Sequence, residues 1–501
     1  MTTEILLGPP GTGKTTALLD IVDDELASGT APDRIGFVTF TRRGAETAVS
    51  RAVKRFGLEK KVLPFFRTLH ALTYRALGLR PGDVMEKDRI QDFADYAGVR
   101  ITGRWSEDGS FAGYETGDRI LFMENLSRMR GVPLRQQYDM DDDQLSWLTV
   151  QHVGRCYAAY KEAHGLLDYT DMLLQYVRED NPPVLDVLLV DEAQDLSLLQ
   201  WKVVRLLARH ARRVVVAGDD DQAVYRWAGA DVDTLINLEG NVRVLHQSYR
   251  VPSAVQTVAS GIINRVATRR TKVWSPRPAE GVVDRVPDFE SSDTSSGEVL
   301  ILARNQYVLS EYVEPELRRR GVVYEHGGRS SVKPAVLRAV SAWERLRNAE
   351  TITAGDAVNV YAYLSSGDGV ARGAKTKLQK LQDDEEITMT RLTQEFGLLR
   401  SGVWHEALDK LPKDEMSYML AARRAGEKLL GHARVRLATI HGSKGGEAEH
   451  VILFTEMARR SFVEMRDHED DENRVFYVGV TRARERLTIV GANKPQYYPH
   501  I

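Results

Sequence analysis

A single cysteine, Cys156, stands in the 501 residues. That excludes a disulfide framework and any zinc site built on cysteine pairs, and it fits a reducing compartment. No apolar run is long enough to cross a bilayer. The N-terminus, MTTEILLGPPGTGK, lacks the basic-then-apolar pattern of a secretory leader, so a cytoplasmic protein without membrane contact is expected. The 12 histidines show no metal-ligand spacing. A large charge excess is missing too. With a formal net charge of −3, any nucleic-acid surface must be a local groove, not a global positive field. The chain has no internal repeat by sequence identity and no low-complexity tail.

What is present is a large folding chain. Its 43% hydrophobic and 28% charged residues are those of a globular protein, and its length exceeds one ordinary core, so about two to four structural units are expected. Near-continuous runs of Val, Ile and Leu recur at Ile5–Leu7, Ile35–Thr39, Val187–Val190, Val214–Ala217, Val299–Leu302, Val435–Thr439, Val451–Phe454 and Leu487–Val490. Such runs, separated by helical stretches, predict parallel strands buried on both faces of α/β sheets. Two segments lack this rhythm and read as helical: roughly 80–165, and roughly 330–431, where Pro334 suits the first turn of a helix. The Ser-rich stretch 291–297 reads as a polar, flexible loop.

Chemistry enters at Gly8-Pro9-Pro10-Gly11-Thr12-Gly13-Lys14-Thr15, which follows a short strand and precedes a helical run. This is a phosphate-binding loop in its required setting: the glycines turn backbone N–H groups inward, and the helix N-terminus adds partial positive charge. Lys14 is expected on the β- and γ-phosphates of ATP, and Thr15 on Mg²⁺. In LLVDEAQD an apolar strand ends in carboxylates, with Asp191 expected on the metal and Glu192 to accept a proton from the attacking water. Gln194 and Asp195 are expected to tie the strand end to neighbouring loops. In VVVAGDDDQAVYRWAGA (214–230) a residue able to sense a phosphate, Gln222, stands close to rings able to stack on a base, Tyr225 and Trp227. Arg250 and Arg482 carry the planar, permanent charge suited to a developing γ-phosphate charge. By sequence alone, a surface arginine is the favoured reading of either.

In order, the blocks GPPGTGKTT, FVTFTRRGAETAVSR, FRTLHAL, LDYTDML, LLVDEAQDL, VVVAGDDDQAVYRWAGA, HQSYRVP, LATIHGSKGGEAEHVIL and FYVGVTRARERLTIV resemble a superfamily 1A DNA helicase of the UvrD/PcrA/Rep type. The resemblance implies an α/β fold of two RecA-like P-loop NTPase cores with two mainly helical insertions. Core 1A would comprise 1–79 and 166–245, and insertion 1B 80–165. Core 2A would comprise 246–328 and 432–501, and a reduced insertion 2B 329–431. ATP would lie between the cores, held by the loop and Thr16. Tyr249 would stack on the adenine and Glu447 contact the ribose, with Gln222 sensing the γ-phosphate. Arg250 and Arg482 would act as arginine fingers supplied in cis. Thr39, Phe40, Thr41, Arg42, His70, Tyr225 and Trp227 would meet single-stranded DNA, with Arg67 a weaker candidate. The motor would move 3′→5′ on single strands and at single-strand/duplex junctions.

The chain departs from the family in places. No upstream Gln motif precedes the first strand, which bears on nucleotide selectivity. Thr16 replaces a frequent Arg, and YRWAGA replaces YGWRGA, so Arg226 appears and Ala228 stands where an Arg is usual. The second insertion is short and the chain stops soon after the last strand, which suggests a minimal motor. A translocase that strips proteins without unwinding, and a 5′→3′ or RNA-directed motor of the same superfamily, remain alternatives. Arg318-Arg319-Arg320 reads either as a basic patch or as the cationic end of a helix capped by Gly321. Arg269-Arg270-Thr271-Lys272 reads either as a phosphate contact or as a solvated loop.

Overall fold

The computed structural model describes residues 2–40, 42–103, 115–141, 145–429 and 431–501. The Thr41 expectation and the side chain of Arg42 lie outside the described residues. The first sheet contains β1 (Thr2–Leu7), β2 (Ile35–Thr39), β3 (Phe66–Thr68), β4 (Val187–Asp191), β5 (Arg213–Gly218) and β6 (Asn241–Val244), all parallel, in the order β3-β2-β4-β5-β1-β6. A second sheet, largely parallel, draws on β7 (Val282–Val286), β8 (Val299–Ala303), β9 (Tyr324–His326) and β10 (Arg329–Ser330). A two-stranded pair, β11 (Ile352–Thr353) and β12 (Glu386–Ile387), lies apart. β13 (Val435–Thr439), β14 (Ala448–Phe454) and β15 (Ala483–Val490) complete the second sheet, ordered β10-β9-β13-β8-β14-β15-β7.

All eight apolar runs lie within strands, and β2, β4 and β8 are buried along their whole length, because helices cover both faces of each sheet. The edge strand β6, by contrast, is largely exposed and β7 is half-exposed. The described residues between 80 and 165 include the helices Lys87–Ala97, Thr116–Arg130, Leu134–Asp139 and Trp147–His164 around their own apolar cluster. A second helical cluster gathers around Trp343, Tyr361 and Trp404, with Pro334 opening the Pro334–Arg347 helix. β10 continues the second sheet past position 328, pairing antiparallel with β9. No described helix is long and apolar enough to cross a membrane.

Strand order alone brings the chemistry together. β4, β5 and β1 are neighbours with β2 beyond them, so the loops after Leu7, Asp191, Gly218 and Thr39 open at one carboxyl edge of a parallel sheet. That edge is where open α/β sheets bind ligands.

Candidate active site and nucleic-acid surface

The loop after β1 is shaped by its glycines. Gly11 and Gly13 have φ of 72° and 80°, a region that disfavours side chains. A Cβ on Gly8 would fall 1.9 Å from Lys14 Cγ, and one on Gly11 would fall 2.4 Å from Arg250 Cβ. The Lys14 ammonium donates to the Gly8 carbonyl at 2.9 Å, and the Thr15 hydroxyl donates to Asp191 Oδ2 at 2.9 Å. Burial, together with Glu192 next door, pushes the Asp191 carboxyl up to about 6. A cation beside it would relieve that penalty, so this hydroxyl–carboxylate pair has the donor chemistry for a hard divalent ion. Burial also works against the charge on Glu192, but Lys14, Lys444 and Gln194 overcome it and hold Glu192 down at about 2. Glu192 is therefore ionised at neutral pH, in a left-handed backbone conformation with φ 55°, strain of the kind that collects at functional sites.

Groups from the second sheet face this edge. The Arg482 guanidinium is buried and donates to Gln222 Oε1 at 2.7 Å, and Gln222 in turn donates to Asp219 at 2.6 Å. Burial and the nearby Arg250 lower the Arg482 pKa. Arg250 pairs with Glu447 at 2.5 Å, and Arg484 approaches the same carboxylate at 3.6 Å. Ser248 and Tyr249 bond backbone atoms of Pro10 and Gly11, at 2.7 and 2.8 Å, while Tyr249 is 74% exposed beside the loop. The structure thus brings Lys14, Thr15, Asp191, Glu192, Gln222, Arg250, Glu447, Arg482 and Tyr249 to one junction, with Gly8–Thr16 as its floor.

Sequence reasoning did not weigh Lys444, although it lies in the quoted HGSKGGE block. Its ammonium reaches Asp195 Oδ1 at 2.6 Å and the Gln222 carbonyl at 3.1 Å, and lies 5.2 Å over the Tyr225 ring. The Gln194 side chain accepts from the Asp219 backbone at 3.0 Å, so Gln194 and Asp195 do tie this strand end to neighbouring loops.

The aromatic residues form a row. Phe40 lies 5.9 Å from Tyr225, Trp227 6.1 Å edge-on from His441, and Phe122 6.0 Å from Trp227. Phe40 and Trp227 are half-buried against the apolar cluster of the second sheet. Tyr225, expected as a stacking surface, is instead buried at 5% exposure, its hydroxyl donating to the His441 carbonyl at 3.3 Å. The ring serves the junction, not solvent. His441 is buried with no partner on Nε2 among the described residues, and burial with Arg304 and Lys444 pushes its pKa well below the usual value. The Thr39 hydroxyl is buried without a partner among the described residues, while His70 meets the half-exposed Tyr169 ring edge-on at 5.9 Å. Arg67 donates to the Pro64 carbonyl at 2.7 Å.

Three basic or polar segments differ from their expectations or resolve them. The 269–272 segment is neither a solvated loop nor a phosphate contact. The Lys272 ammonium is buried 3.2, 2.5 and 3.1 Å from Asp219, Asp220 and Asp221. Arg269 holds Asp221 through two bonds of 2.7 and 2.6 Å, and Arg474 donates to the Asp220 carbonyl at 3.0 Å. The three aspartates could gather a cation, and the lysine ammonium already fills that role. Arg318–Arg320 ends the Glu314–Arg320 helix, with Gly321 at φ 71° as its cap. The Ser291–Gly297 stretch is held by Asp288, Asp293 and the Arg320 guanidinium, with Ser292 and Thr294 buried.

Residues 2–243 match the UvrD/REP helicase N-terminal domain and residues 377–494 the UvrD-like helicase C-terminal domain. Over 621 aligned positions the chain is 24% identical to DNA helicase II of Salmonella typhimurium and to that of Escherichia coli, covering 99% of this chain and 83% of each relative. It is 26% identical over 293 residues to the ATP-dependent DNA helicase PcrA of Staphylococcus aureus, covering 54% of this chain and 39% of that one. The first match spans the first sheet and the second takes in β13, β14 and β15 of the second sheet, the two sides of the Arg482–Gln222 contact, and the chain belongs to the UvrD/REP helicase family.

Proposed function

We propose that the chain is an ATP-dependent DNA helicase that moves 3′→5′ along single-stranded DNA and opens duplexes at single-strand junctions. One observation carries the reading. Gln222 accepts the Arg482 hydrogen bond from the opposite sheet, and a few residues later the same loop presents Trp227 to the row of rings. A change at the nucleotide is thereby one short loop away from a base platform. The 3′→5′ sense rests on the family resemblance.

We assign the units as cores 1–79 with 166–245 and 246–330 with 432–501, the second core running to 330 because β10 belongs to its sheet, and insertions 80–165 and 331–431. The 8–16 loop, with Lys14 released from Gly8, holds the phosphates; Thr15 and Asp191 hold Mg²⁺. When bound, ATP and Mg²⁺ supply the scissile phosphoanhydride and the charge that offsets its oxygens. Glu192, ionised at neutral pH, holds the proton of the attacking water. Arg482 and Arg250 set fixed positive charge opposite the loop, Arg250 by exchanging Glu447 for phosphate, which leaves Glu447 to the ribose. Tyr249 offers its exposed face to adenine. Phe40 and Trp227 stack on bases, a contact worth roughly 1–3 kcal/mol per base whatever the sequence. His70 lines the same strand and Tyr169 joins it, whereas Thr39, its hydroxyl buried, does not face it.

The test is ATP turnover with and without single-stranded DNA, beside unwinding of duplexes carrying a 3′ or a 5′ tail. Stimulated turnover with unwinding from the 3′ tail alone supports the proposal, and unwinding from the 5′ tail reverses the polarity. Turnover indifferent to DNA removes Phe40 and Trp227 from the DNA path. A second reading has one observation behind it. The alignment to the DNA helicase II relatives needs 621 positions to carry 501 residues, so those relatives hold blocks absent here. Stimulation without unwinding from either tail would favour a translocase that displaces bound protein.

A further inference from the structure

We propose that Phe122, on the Thr116–Arg130 helix of the first insertion, is the positioning residue for Trp227 and so sets how firmly single-stranded DNA is stacked. The proposal rests on the reading of Trp227 as a base platform. Trp227 sits on one short 3-10 turn, Arg226–Ala228, which on its own leaves an indole free to change rotamer. Two rings flank it. His441, from the second sheet, meets it edge-on at 84°, and Phe122 meets it at 6.0 Å with a 31° tilt.

The two flanks differ in what holds them. Phe122, Leu126, Met129 and Arg130 follow the spacing of one helical face, and that face carries the whole turn. A Cβ on Gly229 would fall 2.9 Å from Leu126 and 3.5 Å from Met129, so the turn is seated directly on the helix. The Arg130 guanidinium donates to the Arg226 carbonyl at 3.1 Å. The helix is in turn fixed to the first sheet's unit. Arg128 pairs with Asp168 and Asp171 at 2.7 and 2.8 Å, and Lys161 pairs with the same two at 2.7 and 2.5 Å. Asp168 caps the Tyr169–Glu179 helix, which packs beneath the first sheet. Phe122 therefore stays with the first core when the second moves, whereas His441 travels with the second. A ring held by one fixed and one moving neighbour keeps its orientation from the fixed one.

The experiment titrates ATP turnover with an oligothymidylate and follows quenching of 2-aminopurine in a labelled strand, for wild type, Phe122→Leu, Phe122→Tyr and Trp227→Ala. Leucine keeps helix propensity and most of the apolar volume while removing the ring face. Aromatic pairing of this kind converts to about a 2- to 10-fold effect. Phe122→Leu is expected to raise the half-saturating DNA concentration by that factor and weaken the quenching, with the KM for ATP unmoved and Phe122→Tyr restoring both DNA readouts. If Phe122→Leu titrates like wild type while Trp227→Ala is defective, the positioning role is wrong and the platform stands. If tyrosine fails to restore what leucine lost, the contact is mere bulk and the proposal is overturned. If Trp227→Ala itself behaves as wild type, the platform reading fails and takes this proposal with it.

Discussion

The Arg482 guanidinium donates to the Gln222 carboxamide at 2.7 Å, joining residues 260 positions apart in sequence across the two sheets. Gln222 is fixed from behind by Asp219, so the amide has one orientation and its oxygen faces the arginine. Gln222→Ala removes a charge-assisted hydrogen bond worth about 1.5–3 kcal/mol, or roughly 10- to 100-fold. DNA-stimulated turnover is expected to fall by that factor while nucleotide binding persists. Fluorescent-nucleotide titration beside steady-state turnover checks it, and parallel loss of binding and turnover would assign Gln222 to ATP affinity instead.

Glu192 lies beyond the last strand residue of β4, ionised and with its carboxylate accepting from Gln194. Glu192→Gln keeps the shape and removes the proton acceptor. Turnover should drop by about 10²–10⁴-fold, the usual contribution of a general base, with ATP still bound. A variant that hydrolyses ATP at the wild-type rate would sink this role.

The parts of the fold that were legible in the sequence are those whose physics is local. β4 and β8 read directly because a strand covered on both faces must be apolar throughout. β6 and β7 escaped because an edge strand buries only part of its surface, and β3, though buried, because it is only three residues long. The phosphate loop and the carboxylates after Val190 were legible as contiguous spacing. Lys444, Lys272 and Arg474 were not, since a buried cation is defined by partners far along the chain. Tyr225 and Trp227 differ by two positions, and only packing shows that one ring is sealed in the junction while the other keeps an open edge.

Lys272 tests how the two sheets are joined. Its burial opposes the charge, yet Asp219, Asp221 and Asp220 raise its pKa, so the cation is held. Lys272→Met leaves three buried carboxylates short of their shared partner. Removing one member of a buried ion cluster costs about 3–5 kcal/mol. The urea midpoint should fall accordingly, and the loss should persist at high salt because buried pairs are little screened. A loss that vanishes at high salt would mean the cluster is solvent-accessible.

His450 supplies a pH dependence of known sign. It lies buried on β14, hydrogen-bonded to the Thr488 hydroxyl at 2.8 Å, and burial, reinforced by Arg486, lowers its pKa to about 4. The unfolded chain takes up a proton near the ordinary 6.5, the folded one only near 4, so between these values the unfolded state binds more protons. Stability from this group is complete above the unfolded pKa and is lost as pH falls through the window. The shift corresponds to about 2 kcal/mol between pH 7.5 and 5. His450→Gln, which keeps a hydrogen-bonding side chain for Thr488 but cannot take up the proton, should flatten that part of the profile in urea unfolding at the two pH values. An unchanged slope would mean that other buried groups, His441 first among them, carry the acid sensitivity.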